Sequence, residues 1–316
     1  MRTIYALVAS LAVLAVTAVA PAQDLPKVTV AMSGWTGFAP LTLAEKTGIF
    51  KKHGADVTIR FIPQKDRHLA IASGDVQCAA TTVETWIIWN ANGVATKQVV
   101  QLDKSFGADG MVVRPGIAKI ADLRDKTVAA SAPGTAPYFT LAWFLKKNGL
   151  TVKDVKIATL EPGPAAQAFL AGQNDAAMTY EPYLSSVREK PEAGKIIATT
   201  LDYPMIMDTF GCTPKFINEQ PKLVHGMVNA YFEAVQQIGK DPKKSFEIMG
   251  SAVKQTGEQF EKSQAYLRWQ DRAANQKFFA GEIQGFSKEA ADLLLELGII
   301  KSVPDIASII DTRFIK

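Results

Sequence analysis

Side chains able to recognise a small polar molecule gather at four places in this sequence. Ser33-Gly34-Trp35-Thr36-Gly37 puts two hydroxyls and an indole on a glycine-rich turn. Thr81-Thr82-Val83-Glu84 combines two hydroxyls with a carboxylate. Ser131-Ala132-Pro133-Gly134-Thr135, followed by Tyr138, reads as a turn whose backbone could cradle an anion, because Gly134 lets a ligand approach closely. Tyr180-Glu181-Pro182-Tyr183 pairs a carboxylate with two phenols, and Asp208 adds an isolated acid. A carboxylate withdrawn from water is costly unless it meets a cation or N–H donors. Glu84, Glu181 and Asp208 therefore point to a ligand with a cationic or N–H-rich part, or to an internal Arg or Lys. Each place also has a plainer use. Ser33, Thr81 and Thr82 suit helix N-caps, Ser131–Thr135 suits an ordinary turn, Trp35 could pack in the core, and the acids could cap helices or pair internally. Trp86 and Trp89, three apart on one helix face, and Trp269, in a helical tail, read as core.

These places matter because of where they fall among the expected elements. Strands are expected at Val28–Met32, Val57–Phe61, Val76–Ala80 and Gln98–Leu102, alternating with helices over Leu41–His53, Asp66–Ser73 and Thr81–Asn90. The pattern repeats, with strands at 110–113, 127–130, 155–157, 176–179 and 196–199 and helices at 137–147, 165–171 and 184–189. After a strand at Phe210–Thr213 the spacing is helical to the end, including Phe260–Trp269. Alternating short strands and helices imply parallel α/β sheets, and such sheets bind ligands at the carboxyl ends of their strands. Four of the polar clusters stand at such ends. Leu69–Thr81 and Ala168–Thr179 are similar to one another, each a helix end, a glycine turn and a small-residue strand. Aligning Asp75 with Asp175 makes the two turns differ by two residues. Two related lobes are expected, joined through Asp103–Gly110 and Asp202–Asp208. The first lobe is then 23–104 with 208–316, and the second is 105–207.

Arg2, the apolar run Ile4–Val19 and Ala20-Pro21-Ala22 have the three-part form of a secretory signal over residues 1–22. The run is short for a membrane span, which needs roughly 20 apolar residues, and no cysteine stands near the cleavage site to carry a lipid. Export to the periplasm is expected. The net charge of +4 comes from interspersed charges rather than a basic stripe, so nucleic acid is not an expected partner. His53, His68 and His225 lack metal-ligand spacing, and no nucleophile elbow or phosphate-loop signature is present. No metal or cofactor is expected. Cys78 and Cys212 could form a bridge, but two buried free thiols fit their apolar surroundings at least as well.

Several stretches together carry a family resemblance: Ala39–Val57 (APLTLAEKTGIFKKHGADV), Gly74-Asp75-Val76, Ile120–Val128 (IADLRDKTV), Phe169–Ala177 (FLAGQNDAA) and Tyr180–Tyr183. The chain resembles the periplasmic solute-binding proteins of nitrate/sulfonate/taurine-type ABC importers, including the branch that binds thiamine precursors. The resemblance implies an α/β type II periplasmic-binding fold, two lobes joined by two crossovers, and a ligand cleft between them that closes by hinge motion. It also implies no catalysis. By resemblance, Ser33–Gly37, Thr81–Glu84, Ser131–Thr135 and Tyr180-Glu181 line the cleft, and Asp208 lies where the returning crossover passes the ligand. In taurine-type members, acids at positions like Glu181 and Asp208 hold the ligand amine.

The expectation is a monomeric capture protein that hands a small molecule to a membrane permease and its ATPase. The first-choice cargo is an amine-bearing solute of the taurine-like aminosulfonate kind. A planar guanidinium, amidine or urea-like compound, or a thiamine-precursor-like pyrimidine, is second. Nitrate is disfavoured, since no Arg stands at a nominated strand end. The reading of a different class is an exported or precursor-processing enzyme.

Overall fold

In the computed structural model, which describes residues 24–316, the strands fall into two sheets. The export signal expected at 1–22 lies outside the described residues. The strands are β1 (Lys27–Met32), β2 (Asp56–Phe61), β3 (Cys78–Thr82), β4 (Lys97–Ser105), β5 (Asp109–Val113), β6 (Thr127–Ala130), β7 (Lys156–Thr159), β8 (Ala176–Tyr180), β9 (Lys195–Thr199), β10 (Met207–Cys212) and β11 (Leu267–Trp269). The first sheet has the order β11-β4-β10-β3-β1-β2 and the second β7-β6-β8-β5-β9. In each, three parallel strands lie beside antiparallel ones. The central strands β3 and β5 are buried at every residue, as expected for strands covered on both faces.

The helices are α1 (Ala39–Lys46), α2 (Ile49–Lys52), α3 (Gln64–Ala72), α4 (Val83–Ala91), α5 (Ala136–Lys147), α6 (Pro162–Leu170), α7 (Tyr183–Arg188), α8 (Pro214–Glu219), α9 (Pro221–Lys240), α10 (Pro242–Ala252), α11 (Gly257–Gln264), α12 (Arg272–Lys277) and α13 (Ile283–Glu296). The single helix expected over Leu41–His53 is two. Gly48 takes a left-handed φ of 74° between α1 and α2, a backbone state that ends a helix. The tail is not wholly helical either. Leu267–Trp269 leaves α11 to become β11, an antiparallel partner that covers the edge of β4. Trp86 and Trp89 are core, edge to face with ring centres 4.9 Å apart.

The two lobes share one plan. Gly74 and Gly172 both adopt left-handed φ, 83° and 85°, and each precedes its strand, β3 or β8, by the same interval. The turns are therefore equal in length, and Gln77 rather than Asp75 corresponds to Asp175. Their side chains do the same job. Gln77 Oε1 accepts from the Thr29 N–H at 3.0 Å, and Asp175 Oδ2 from the Thr127 N–H at 2.8 Å.

The crossovers run from β4 to β5 and from β9 to β10, and they are laced side by side. Ser105 and Thr200 hydroxyls lie 2.6 Å apart, the Gly107 N–H donates to Thr200 Oγ1 at 2.9 Å, and the Ser105 N–H to the Ile206 carbonyl at 3.0 Å. Gly107 has φ 97°, which a side chain would resist. Cys78 and Cys212, partners across β3 and β10, form a disulfide. The alternative of two free thiols is overturned, because the register of two distant strands puts the sulfurs face to face.

Candidate ligand-binding site

A cavity of about 20 Å³ lies between the lobes at the carboxyl ends of β1, β3 and β8. Six of the side chains nominated from sequence line it: Ser33, Trp35, Thr81, Thr82, Tyr180 and Asp208. Three further polar residues share it, namely Gln64, Arg67 and Asp109. Trp35 and Tyr180 meet across the lobes edge to face, ring centres 5.3 Å apart. The Thr36 N–H reaches the Glu181 carbonyl at 3.4 Å, so the lobes are in contact.

The strand register explains why carboxylates converge here. Asp208, on the returning strand β10, stands opposite Thr82, the last residue of β3. Asp109, on β5, stands opposite Tyr180, the last residue of β8. Each lobe thus presents one aspartate beside the end of a parallel strand, β3 in the first and β8 in the second. Both are buried, and each has an Oδ2 with no hydrogen-bond partner among the described residues. Asp103 on β4 is a neighbour of Asp208 across the ladder. Its Oδ1 accepts from the Trp35 Nε1–H at 3.1 Å.

Burial dominates the electrostatics. It raises Asp103 to about 8, Asp109 to about 7 and Glu84 to about 8, and puts Asp208 well above the carboxylate range. The mutual repulsion of Asp103, Asp109, Glu84 and Asp208 adds to the effect at Asp208. Two adjacent carboxyls such as Asp103 and Asp208 keep a proton because both cannot ionise cheaply. The cavity is acidic in composition and partly protonated near neutral pH.

Arg67 is the positive element that the sequence reading missed. It comes from α3, after the end of β2, a strand end not among those nominated. Its Nε donates to the Ile62 carbonyl and its Nη1 to the Ala80 carbonyl, both at 2.8 Å. Gln64, from the same turn, holds the threonines: its Nε2 donates to Thr81 Oγ1 at 3.0 Å and Thr85 Oγ1 at 2.8 Å, while its Oε1 accepts from the Ala136 N–H of the other lobe at 3.1 Å. No Arg stands at a nominated strand end, yet Arg67 reaches the cavity from the helix that follows β2. Asp109 and Asp103 were legible only as acids inside an expected crossover.

The other nominated residues lie apart from the cavity. Glu84 is buried and accepts from the Thr82 hydroxyl, with Oε2 unpartnered. Glu181 is buried, at a cis bond to Pro182. Its Oε2 accepts from the Ser185 N–H at 3.1 Å, and Oε1 lies 3.6 Å from Arg188. Burial raises its pKa, against the pull of Ser185 and Arg188. Thr36 is buried without a partner for Oγ1, and Thr135 donates to the Ala132 carbonyl at 2.7 Å. Ser131 is buried with its hydroxyl unpartnered. Tyr138 and Gly134 border a separate groove with Lys65, His68 and Trp89.

A family model described as NMT1-like family matches residues 21–249. A binding protein of Brucella abortus is 23% identical over 304 residues, covering 94% of this chain and 93% of that protein. The taurine-binding periplasmic protein of Escherichia coli is 24% identical over 308 residues, covering 92% and 93%. Among solved structures, the alkanesulfonate-binding protein SsuA of Xanthomonas axonopodis pv. citri, bound to MOPS, superposes with a TM-score of 0.78 at 17% identity, covering 92% of this chain and 100% of that one. The desulfurization enzyme DSZB has the same fold at 13% identity, covering 92% of this chain and 97% of that one, with a TM-score of 0.66, so the fold by itself does not decide between binding and catalysis. The match over most of its length makes this chain a member of the NMT1-like family.

Proposed function

We propose that this protein captures a small amine-bearing solute between lobes 23–104 with 208–316 and 105–207, and delivers it from the periplasm to an ABC permease. The observation that carries this reading is the pair Asp109 and Asp208. They come from different lobes, line one cavity, and each keeps a buried oxygen without a partner. A nitrogen cation satisfies both acids only when the lobes are together, so its binding favours closure. The cavity is the size of a water or two, so a solute enters through an open state and holds the lobes slightly further apart. An aminosulfonate of the taurine kind is the first candidate. A planar nitrogen cation is the second, favoured by the Trp35 and Tyr180 rings in the wall.

The test is thermal melting with a panel of taurine, other short amino acids and guanidine, read together with product analysis. One solute raising the melting temperature by several degrees without turnover supports capture. Product formation would show an enzyme, and no response to any amine would remove the amine reading.

A further inference from the structure

We infer that Arg67 is a specificity-determining residue of the cavity, reading an acceptor or anionic group that the solute carries beside its nitrogen cation. This rests on the cavity being the ligand site and adds a second requirement to the cargo. The guanidinium is held in a fixed plane by its bonds to the Ile62 and Ala80 carbonyls. Arg67 is 1% exposed, and its remaining nitrogen, Nη2, has no partner among the described residues. A buried charged donor left unpaired is expensive, so the position needs a reason.

Neutralising the acids is not a sufficient one. An arginine placed for that purpose grips a carboxylate with its fork. Asp208 and Asp109 line the same cavity as Arg67, yet it makes no ion pair with either. Burial lowers its pKa to about 10, which leaves it cationic at neutral pH. An unpartnered donor and two unpartnered acceptors belong to residues that line the same cavity, which widens as the lobes part to admit a solute. A guest with an acidic end toward Nη2 and an ammonium toward Asp109 and Asp208 satisfies both. A plain alkylamine satisfies only one and leaves the guanidinium buried and unmatched. The cargo class is thus a short dipolar molecule, an amine separated by a few bonds from a sulfonate, carboxylate or phosphonate.

Calorimetric titration of the wild type and Arg67→Gln with taurine, ethanesulfonate and ethylamine tests this, with Arg67→Met as a second variant and circular dichroism confirming the fold of each. The expected result is a loss of more than tenfold in affinity for taurine and ethanesulfonate in both variants, with ethylamine binding unchanged or tighter. Ethanesulfonate binding that depends on Arg67 while both amines fail to bind would keep this role for Arg67 and remove the amine reading. Equal loss for all three probes, or sulfonate binding that survives both substitutions, would overturn it. A wild type that takes none of the three overturns both.

Discussion

The two lobes follow the same plan but secure it differently. In the first, the strand pair that carries Asp208 is closed at its far end by the Cys78–Cys212 disulfide. In the second, the corresponding pair that carries Asp109 ends at Val113 opposite Ala176, with no covalent link. Their acids are also compensated differently. Glu181 has the Ser185 N–H and Arg188, whose guanidinium also donates to the Gly107 carbonyl of the crossover and lies 3.9 Å over the Tyr266 ring. Glu84 has the Thr82 hydroxyl and no basic side chain beside it. A shared architecture thus places acids at matching corners, while the neighbouring residues decide how strongly each keeps its proton.

Replacing both Cys78 and Cys212 with Ser removes the one covalent difference between the lobes. The link spans 134 residues of sequence, and such a bridge stabilises by about 2–4 kcal/mol. Denaturant melts of the double variant should shift by that amount, and the oxidised wild type treated with reductant should follow it. An unchanged midpoint would show that the strand pairing alone secures the first lobe as it does the second.

Asp208→Asn and Asp109→Asn compare the corners directly. Each should weaken binding of an amine-bearing solute about 10- to 100-fold in calorimetry, the effect of losing a charge-assisted hydrogen bond. Similar losses support a cation shared between lobes; a loss confined to one would assign capture to that lobe alone.

The pH profile sharpens the electrostatic contrast. Carboxyls raised to about 7 and 8 in the fold keep protons that the unfolded chain has released. The unfolded state binds fewer protons in this window, so the free protein should lose stability as pH rises from about 4.5 to about 8. Glu84→Gln should flatten that decline visibly. Solute affinity should rise over the same window as the acids ionise around the cation. A free-protein stability rising with pH would contradict the cluster's protonation.

The smallest effect is expected at Glu181. The sequence reading put it in the cleft, so Glu181→Gln should cost affinity. The structure leaves it out of the cavity lining and gives it Ser185 and Arg188 as neighbours, so the loss should stay below about fivefold, a little under the effect of one hydrogen bond. A larger loss would return Glu181 to the ligand.

Much of the fold was legible because strand and helix periods are local. The β-strands and the small-residue turns follow from residues close in sequence. What was missed follows from contacts that are not local. β11 was hidden because three residues carry too little periodicity to show that they pair with an exposed edge. Arg67 was missed because the survey of strand ends skipped β2. Asp103 looked like one acid of a crossover, and only the β4–β10 register sets it beside Asp208.

By itself the sequence determined which chemistries were available at strand ends: hydroxyls, a tryptophan, tyrosines and acids, with no histidine cluster or catalytic signature. It also determined an alternating chain able to build two α/β lobes. Only the tertiary structure decided which of these side chains meet. Pairing across β3 with β10 and β5 with β8 brings residues distant in sequence, such as Asp109 and Tyr180, into one ladder. A displacement of either register by one residue would turn Asp208 or Asp109 to the opposite face of its sheet. The acids belong to the sequence, but the acidic cavity, with Arg67 unpaired against it, belongs to the fold.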